Sequence, residues 1–282
     1  MQLIQNNKCF QGEQRTYQFH SEKLSGETRY AVFLPEQALK GQPCAAVFFL
    51  AGLSCNEETF AIKAHAQQMA AGLGLILICP DTSPRGENVA AGDHWDIGQG
   101  AGFYINATQA PWSEHYQMQS FIAEELLSLV CEHFPIDRNA IGIFGHSMGG
   151  HGALTLAWKY PDRFHSVSAF APICAPSQCP WGEKAFTAYF GVDQTQWSQH
   201  DATALLLERG ALFDHVLIDQ GLKDQFYTQL NPEKYQAACQ QVGQALTLRY
   251  HEGYDHGYYF IQSFIADHLT FHLQQLQPKL AN

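Results

Sequence analysis

The sequence predicts an α/β fold in a single domain, residues 1–282, with a mostly parallel central sheet flanked by helices and an antiparallel N-terminal hairpin. Three observations predict it. Nearly continuous apolar runs at residues 45–51, 74–80 and 140–144 have the texture of strands buried on both faces of a parallel sheet. Segments with helical periodicity alternate with these runs. The connections are mostly short, which favours right-handed crossovers and a sheet covered on both sides.

Taken in order, residues 15–20 and 28–35 carry β-favouring side chains on either side of a Ser25-Gly26 turn, which is a hairpin pattern. Residues 57–71, between the first two buried strands, read as one helix. Met118, Phe121, Ile122, Leu126, Leu129 and Val130 then form one apolar stripe on a 3.6-residue period, leading into the strand at 140–144. A helical run to Tyr160 follows, then strands at 167–171 and 212–219, a helix over Pro232–Val242 and a strand at 245–251. The last helix places Ile261, Phe264, Ile265, Leu269, Leu273 and Leu276 on one face. Residues 83–112 make a long Gly-rich loop, and a loop of that length in a compact domain is more often functional than idle. A second irregular stretch spans 174–190. Ligands should gather at the carboxyl ends of the strands.

Composition narrows the function. Of 282 residues, 46 % are hydrophobic and only 15 % charged, against roughly 25 % charged in an average globular protein, so a disordered chain is excluded. A formal charge of −11 repels duplexes and anionic bilayers, and neither nucleic acid nor a membrane is expected as a partner. The first ten residues lack a basic segment followed by an apolar one, and the longest apolar stretch, 45–53, is about half of a bilayer span. The eight cysteines, Cys9, Cys44, Cys55, Cys79, Cys131, Cys174, Cys179 and Cys239, form no C-x-x-C pair. They read as reduced thiols of a cytoplasmic protein.

The sharpest chemical signal is Gly145-His146-Ser147-Met148-Gly149, directly after one buried strand and directly before a helical run. That context is a nucleophile elbow, where a serine on a strained turn projects above the sheet. Gly149, Gly150 and Gly152 fall in the first turns of the helix, where each costs roughly 1 kcal/mol relative to Ala, a penalty tolerated where backbone must approach something closely. A serine hydroxyl needs a base, and the base an orienting carboxylate. In chain order the acid and then the histidine should follow. His256, between glycine-flanked turn residues and the final helix, is the better-placed base, and His251 at the strand end reads as structural. The acid is Asp219 or Asp224: Asp219 ends its strand and suits a brace, while Asp224 lies farther into the loop and reaches toward a neighbouring imidazole. The oxyanion donors expected are the N–H groups of Met148 and Leu53, the latter in the Gly52-Leu53-Ser54-Cys55 loop. Gly98-x-Gly100-x-Gly102 lacks a preceding strand and dinucleotide spacing, so it is no phosphate loop. The fourteen histidines show no metal-ligand spacing. Cys55 is either a small hydrophobe or a pocket residue.

With these residues in hand, the chain resembles the S-formylglutathione hydrolases, the esterase D family of serine hydrolases. The resemblance spans nearly the whole length and rests on residues 50–55, 80–86, 98–104, 145–152, 179–186 and 253–256. It implies an α/β-hydrolase fold, a triad of Ser147, Asp224 and His256, oxyanion donors at Leu53 and Met148, and Asp224 rather than Asp219 as the acid. It also implies a role in formaldehyde detoxification without metal or organic cofactor. Homodimers are common in the family. Two departures are visible: Ala51 and Gly257 stand where the family commonly has Ser, which bears on pocket polarity and rate.

A substrate built on anionic glutathione requires a locally positive rim on an acidic protein, with Lys63, Arg85 and Lys184 as candidates and Trp181 as a pocket wall. The alternatives are a general short-chain carboxylesterase, since a small acyl pocket cannot strongly exclude acetyl esters, and a non-catalytic binding module of the same fold.

Overall fold

A computed structural model describes residues 1–280. Nine strands form one sheet in the order β1-β2-β3-β5-β4-β6-β7-β8-β9. These are β1 (Gln2–Cys9), β2 (Gly12–Ser21), β3 (Gly26–Leu34), β4 (Cys44–Leu50), β5 (Ile76–Pro80), β6 (Ile136–His146), β7 (Ser166–Phe170), β8 (Val216–Gly221) and β9 (Leu246–His251). The strands β1, β2, β3 and β5 pair antiparallel, and β5 through β9 run parallel. The chain winds from β4 outward to β5 and then crosses back to β6 on the other side of β4. That reversal opens a crevice beyond the carboxyl ends of β4 and β6, the place where open α/β sheets bind ligands.

Every residue of β4, β5 and β7 is buried, as their unbroken apolar runs require of strands covered on both faces. Phe49 stacks on Phe60 of the helix Glu57–Lys63 with ring centroids 3.7 Å apart, and both rings meet Phe144 edge-on. The opposite layer carries Trp158 of the helix Met148–Lys159 against Phe213 and Tyr235.

Several elements differ from expectation. The hairpin is a three-stranded antiparallel ribbon, because β1, almost wholly exposed and polar, adds an outer strand that a hydrophobic pattern does not reveal. The helix expected over 57–71 is two, Glu57–Lys63 and Gln67–Leu73, separated at His65, whose φ of 55° is left-handed. The Gln67 side chain donates to Ala61 O at this break. Within the Met118 stripe a π-helical turn, Phe121–Leu126, widens the spiral while the same side chains stay buried. The strand β6 starts four residues early. β8 begins only at Val216, because the amides of Leu212 and Phe213 are tied to the Gln244 side chain instead of a sheet partner. The stretch 174–190 is not irregular: it holds the helix Pro180–Phe190, with Pro180 and Gly182 in its first turn, where a missing N–H costs nothing.

That helix organises the long loop. Tyr189 donates its hydroxyl to Ala101 O at 2.7 Å and accepts from Gly98 N–H at 2.9 Å. The Gly-x-Gly-x-Gly run, with Gly98 and Gly100 at φ 87° and 85°, is thus a buried clamp. Among the described residues no helix is long and apolar enough to cross a membrane.

The fully buried Asp219 at the end of β8 receives the Arg249 guanidinium through two hydrogen bonds of 2.6 Å, with His251 and His268 at 3.4 and 3.3 Å. Burial pushes its pKa up, but the nearby His268 ring and the two Arg249 hydrogen bonds outweigh this and hold it well below the usual carboxylate range. A depressed folded-state pKa gives stability that is present above about pH 4 and is lost as pH falls below the unfolded value. Arg249→Met should therefore lower stability by about 3 kcal/mol at neutral pH, the low end for breaking a buried pair because Arg249 is itself partly exposed. Urea unfolding across pH should show the gap from wild type narrowing below about pH 4. A gap independent of pH would contradict this origin.

Candidate active site

Ser147 follows β6 at φ 58°, ψ −118°, a conformation costing of order 1–3 kcal/mol for a residue with a Cβ. Neighbouring backbone holds it there. Its N–H donates to Phe170 O at 3.0 Å, and its carbonyl accepts from the amides of His151 and Ile173 at 3.0 and 3.2 Å. Close packing explains the glycines around it: a Cβ on Gly149 would stand 1.9 Å from Leu50 O, and one on Gly152 2.6 Å from the Tyr104 ring. The helix that carries them docks directly on the end of β4.

Asp224 lies in the turn after β8 and His256 between β9 and the helix Tyr258–Leu280. The two meet through a 2.6 Å hydrogen bond from His256 Nδ1 to Asp224 Oδ2. Asp224 Oδ1 accepts from Phe226 N–H at 2.8 Å. Asp219 is occupied by Arg249 as described, and His251 stacks on Phe264 at 3.8 Å, so both serve as braces. Because an ionised carboxylate only accepts, the shared proton stays on Nδ1 and the lone pair of His256 is on Nε2, at the opposite edge of the ring.

Ser147 and His256 line one cavity of about 310 Å³, together with Gly52, Leu53, Cys55, Lys63, Trp181 and Phe226. The Ser147 hydroxyl makes no hydrogen bond among the described residues, and catalytic contacts are often long before substrate binds. The Leu53 amide likewise makes none, whereas the next two amides do: Ser54 N–H donates to Gly100 O at 2.8 Å and Cys55 N–H to Gly52 O at 3.3 Å. The glycine clamp thus fixes the loop while leaving Leu53 N–H available. Met148 opens its helix, so its N–H precedes any intrahelical acceptor. Among the described residues no cluster of three or more His, Cys, Asp or Glu could hold a metal.

Comparison with known proteins gives the family. The Esterase family model matches residues 21–271. The S-formylglutathione hydrolase of Rattus norvegicus is 47 % identical over 279 residues, covering 98 % of this chain and 99 % of the relative. The chain belongs to the S-formylglutathione hydrolase family. The family member from Paracoccus denitrificans is 47 % identical over 275 residues, covering 98 % of each chain. The solved structure of an S-formylglutathione hydrolase from Agrobacterium tumefaciens superposes with a TM-score of 0.95 at 46 % identity, covering 98 % of this chain and all of that one. The α/β-hydrolase fold is therefore shown.

The residues expected at the rim separate. Lys63 stands in the cavity wall, 5.8 Å from the Tyr258 ring centre. Arg85 binds Asp81 and donates to Cys55 O at 2.8 Å, facing a neighbouring cavity. Lys184 pairs with Asp96 at 2.6 Å and lies outside the cavity wall. Cys55 is a wall residue, its thiol pushed up by burial. Trp181 packs between Trp95 and Phe226, and Phe226 meets the His256 ring edge-on at 5.0 Å.

Trp95, Phe226, Tyr258 and Gln220 gave no signal in this S-formylglutathione hydrolase family sequence, and His146, beside the elbow serine, read there only as a core or surface histidine. His146 lies 4.4 Å from His256 between ring centres, and burial, reinforced by His256, pushes its pKa well down, so it presents a neutral ring. Gln220, fully buried in β8, donates from Nε2 to Asp224 Oδ2 at 3.2 Å and to Gly221 O at 3.0 Å. With two acceptors at that end, its amide can face only one way. Losing a hydrogen bond to a charged group costs about 1.5–3 kcal/mol, so Gln220→Leu should lower kcat by about ten- to a hundredfold with little change in KM. Steady-state kinetics would reveal an idle amide by an unchanged kcat.

Proposed function

We propose that the chain hydrolyses S-formylglutathione to glutathione and formate, with Ser147 as nucleophile, His256 as general base and Asp224 as its orienting acid. The observation that carries this reading is the 2.6 Å bond from His256 Nδ1 to Asp224 at the cavity that Ser147 also lines. In the first half, His256 Nε2 takes the Ser147 proton while Oγ bonds to the formyl carbon. The Leu53 and Met148 N–H groups stabilise the oxyanion. Collapse breaks the C–S bond, the sulfur leaves with the proton held by His256, and Ser147 keeps the formyl group as an ester. In the second half, water gives a proton to His256 and its oxygen bonds to the formyl carbon. The bond from the formyl carbon to Ser147 Oγ then breaks, His256 returns its proton to Oγ, and formic acid leaves, giving its remaining proton to solvent as formate.

The modest, aromatic-walled cavity suits a one-carbon acyl group, and Lys63 supplies a cation toward a glutathione carboxylate. Eight cysteines, none in a disulfide, support a cytoplasmic setting, where thiols stay reduced. Ser147→Ala should lower kcat/KM on S-formylglutathione by about 10⁴–10⁶-fold, and Asp224→Asn by about 10⁴-fold through the wrong imidazole tautomer. Stopped-flow release of free thiol measures both. Substantial turnover by Ser147→Ala would overturn the assignment.

A further inference from the structure

A second cavity, about 520 Å³, shares Ser54 and Thr59 with the wall of the Ser147 cavity. Apart from Gly86 its lining residues all carry polar side chains, and its charges are unevenly paired. Asp81 and Arg85 neutralise each other at 2.7 Å, and Glu27 accepts from Gln18 at 3.0 Å. Glu57, only 4 % exposed, makes no ion pair among the described residues. Arg29 donates from Nε to Gln18 at 3.1 Å and likewise makes no ion pair among them. The Thr28 hydroxyl, in the same wall, is buried without a hydrogen-bond partner.

A buried carboxylate with no direct ion pair is costly, and burial together with nearby Asp81 pushes the Glu57 pKa up, offset only in part by its own backbone N–H and by the more distant Arg29. An incoming ammonium relieves both effects. Among the described residues Glu27 meets only the Gln18 amide and, at 3.5 Å, His20 at the exposed edge. That leaves Glu57 as the buried carboxylate and Arg29 as the unpaired guanidinium of the cavity, a pair complementary to a group that carries an ammonium and a carboxylate on the same carbon.

We infer that this cavity is the subsite for the γ-glutamyl head of the thioester, an α-amino-acid zwitterion, with Glu57 taking its ammonium, Arg29 its carboxylate and Thr28 a further hydrogen bond. The inference rests on the thioester reading above and extends it. The formyl group enters the smaller cavity, and the peptide crosses the wall that Ser54 and Thr59 share. The glycine end is left to Lys63.

The test compares kcat/KM for S-formylglutathione with that for S-formyl-N-acetylcysteinylglycine, in which acetyl replaces the γ-glutamyl group. The ratio cancels any general loss of folding or chemistry. Wild type should prefer the glutathione thioester at least tenfold, and Glu57→Gln and Arg29→Gln should each reduce the preference to threefold or less. A wild-type ratio near one, or a preference kept intact by both variants, overturns the subsite while leaving the thioesterase reading standing. Wild type that turns over neither thioester overturns both.

Discussion

The site depends on the strained backbone of Ser147 being held where it is. A serine at positive φ relaxes unless its surroundings over-determine it, and here Phe170, His151 and Ile173 fix its peptide groups from three directions. The close contact of Gly149 with Leu50 brings the helix that follows against β4. The loop that follows β4 packs there too, a Cβ on Gly52 standing 3.3 Å from Ser147 Cβ, so the end of β4 and the start of the helix meet at the serine. The glycine clamp and Tyr189 then lock the Leu53 loop from outside.

Two acids at the end of one strand take opposite fates through their neighbours. Asp219 is saturated by a guanidinium and flanked by imidazoles, which makes it a fixed anion under the sheet. Asp224, five residues on, meets only neutral donors: an amide side chain, a backbone N–H and one imidazole. Its charge is therefore directed at His256. Burial also keeps His146 and His272 neutral.

Much of this was legible in the sequence where local pattern suffices. The elbow is encoded in five consecutive residues, and His256 by its place before the last helix. The buried strands are marked by apolar runs with no polar alternation. What was not legible depends on distant partners. Position left Asp219 and Asp224 both open, and Arg249, thirty residues downstream, is what claims the former. Lys184 looked like a free cation until the fold brought Asp96 to it from 88 residues away. The outer strand β1 has no apolar face to betray it, and the helix Pro180–Phe190 was hidden by breakers that are harmless in a first turn. Gln220 gave no signal, because an amide inside an apolar strand declares its use only when its acceptor is seen.

The most direct measurement of the central claim is the rate and site of reaction with a small fluorophosphonate, read by mass spectrometry of the intact chain and its peptides. The arrangement of Ser147, His256 and Asp224 predicts a single adduct on Ser147, with its rate reduced about a thousandfold or more in His256→Gln. An adduct on another residue, or the same labelling rate without the imidazole, would contradict it.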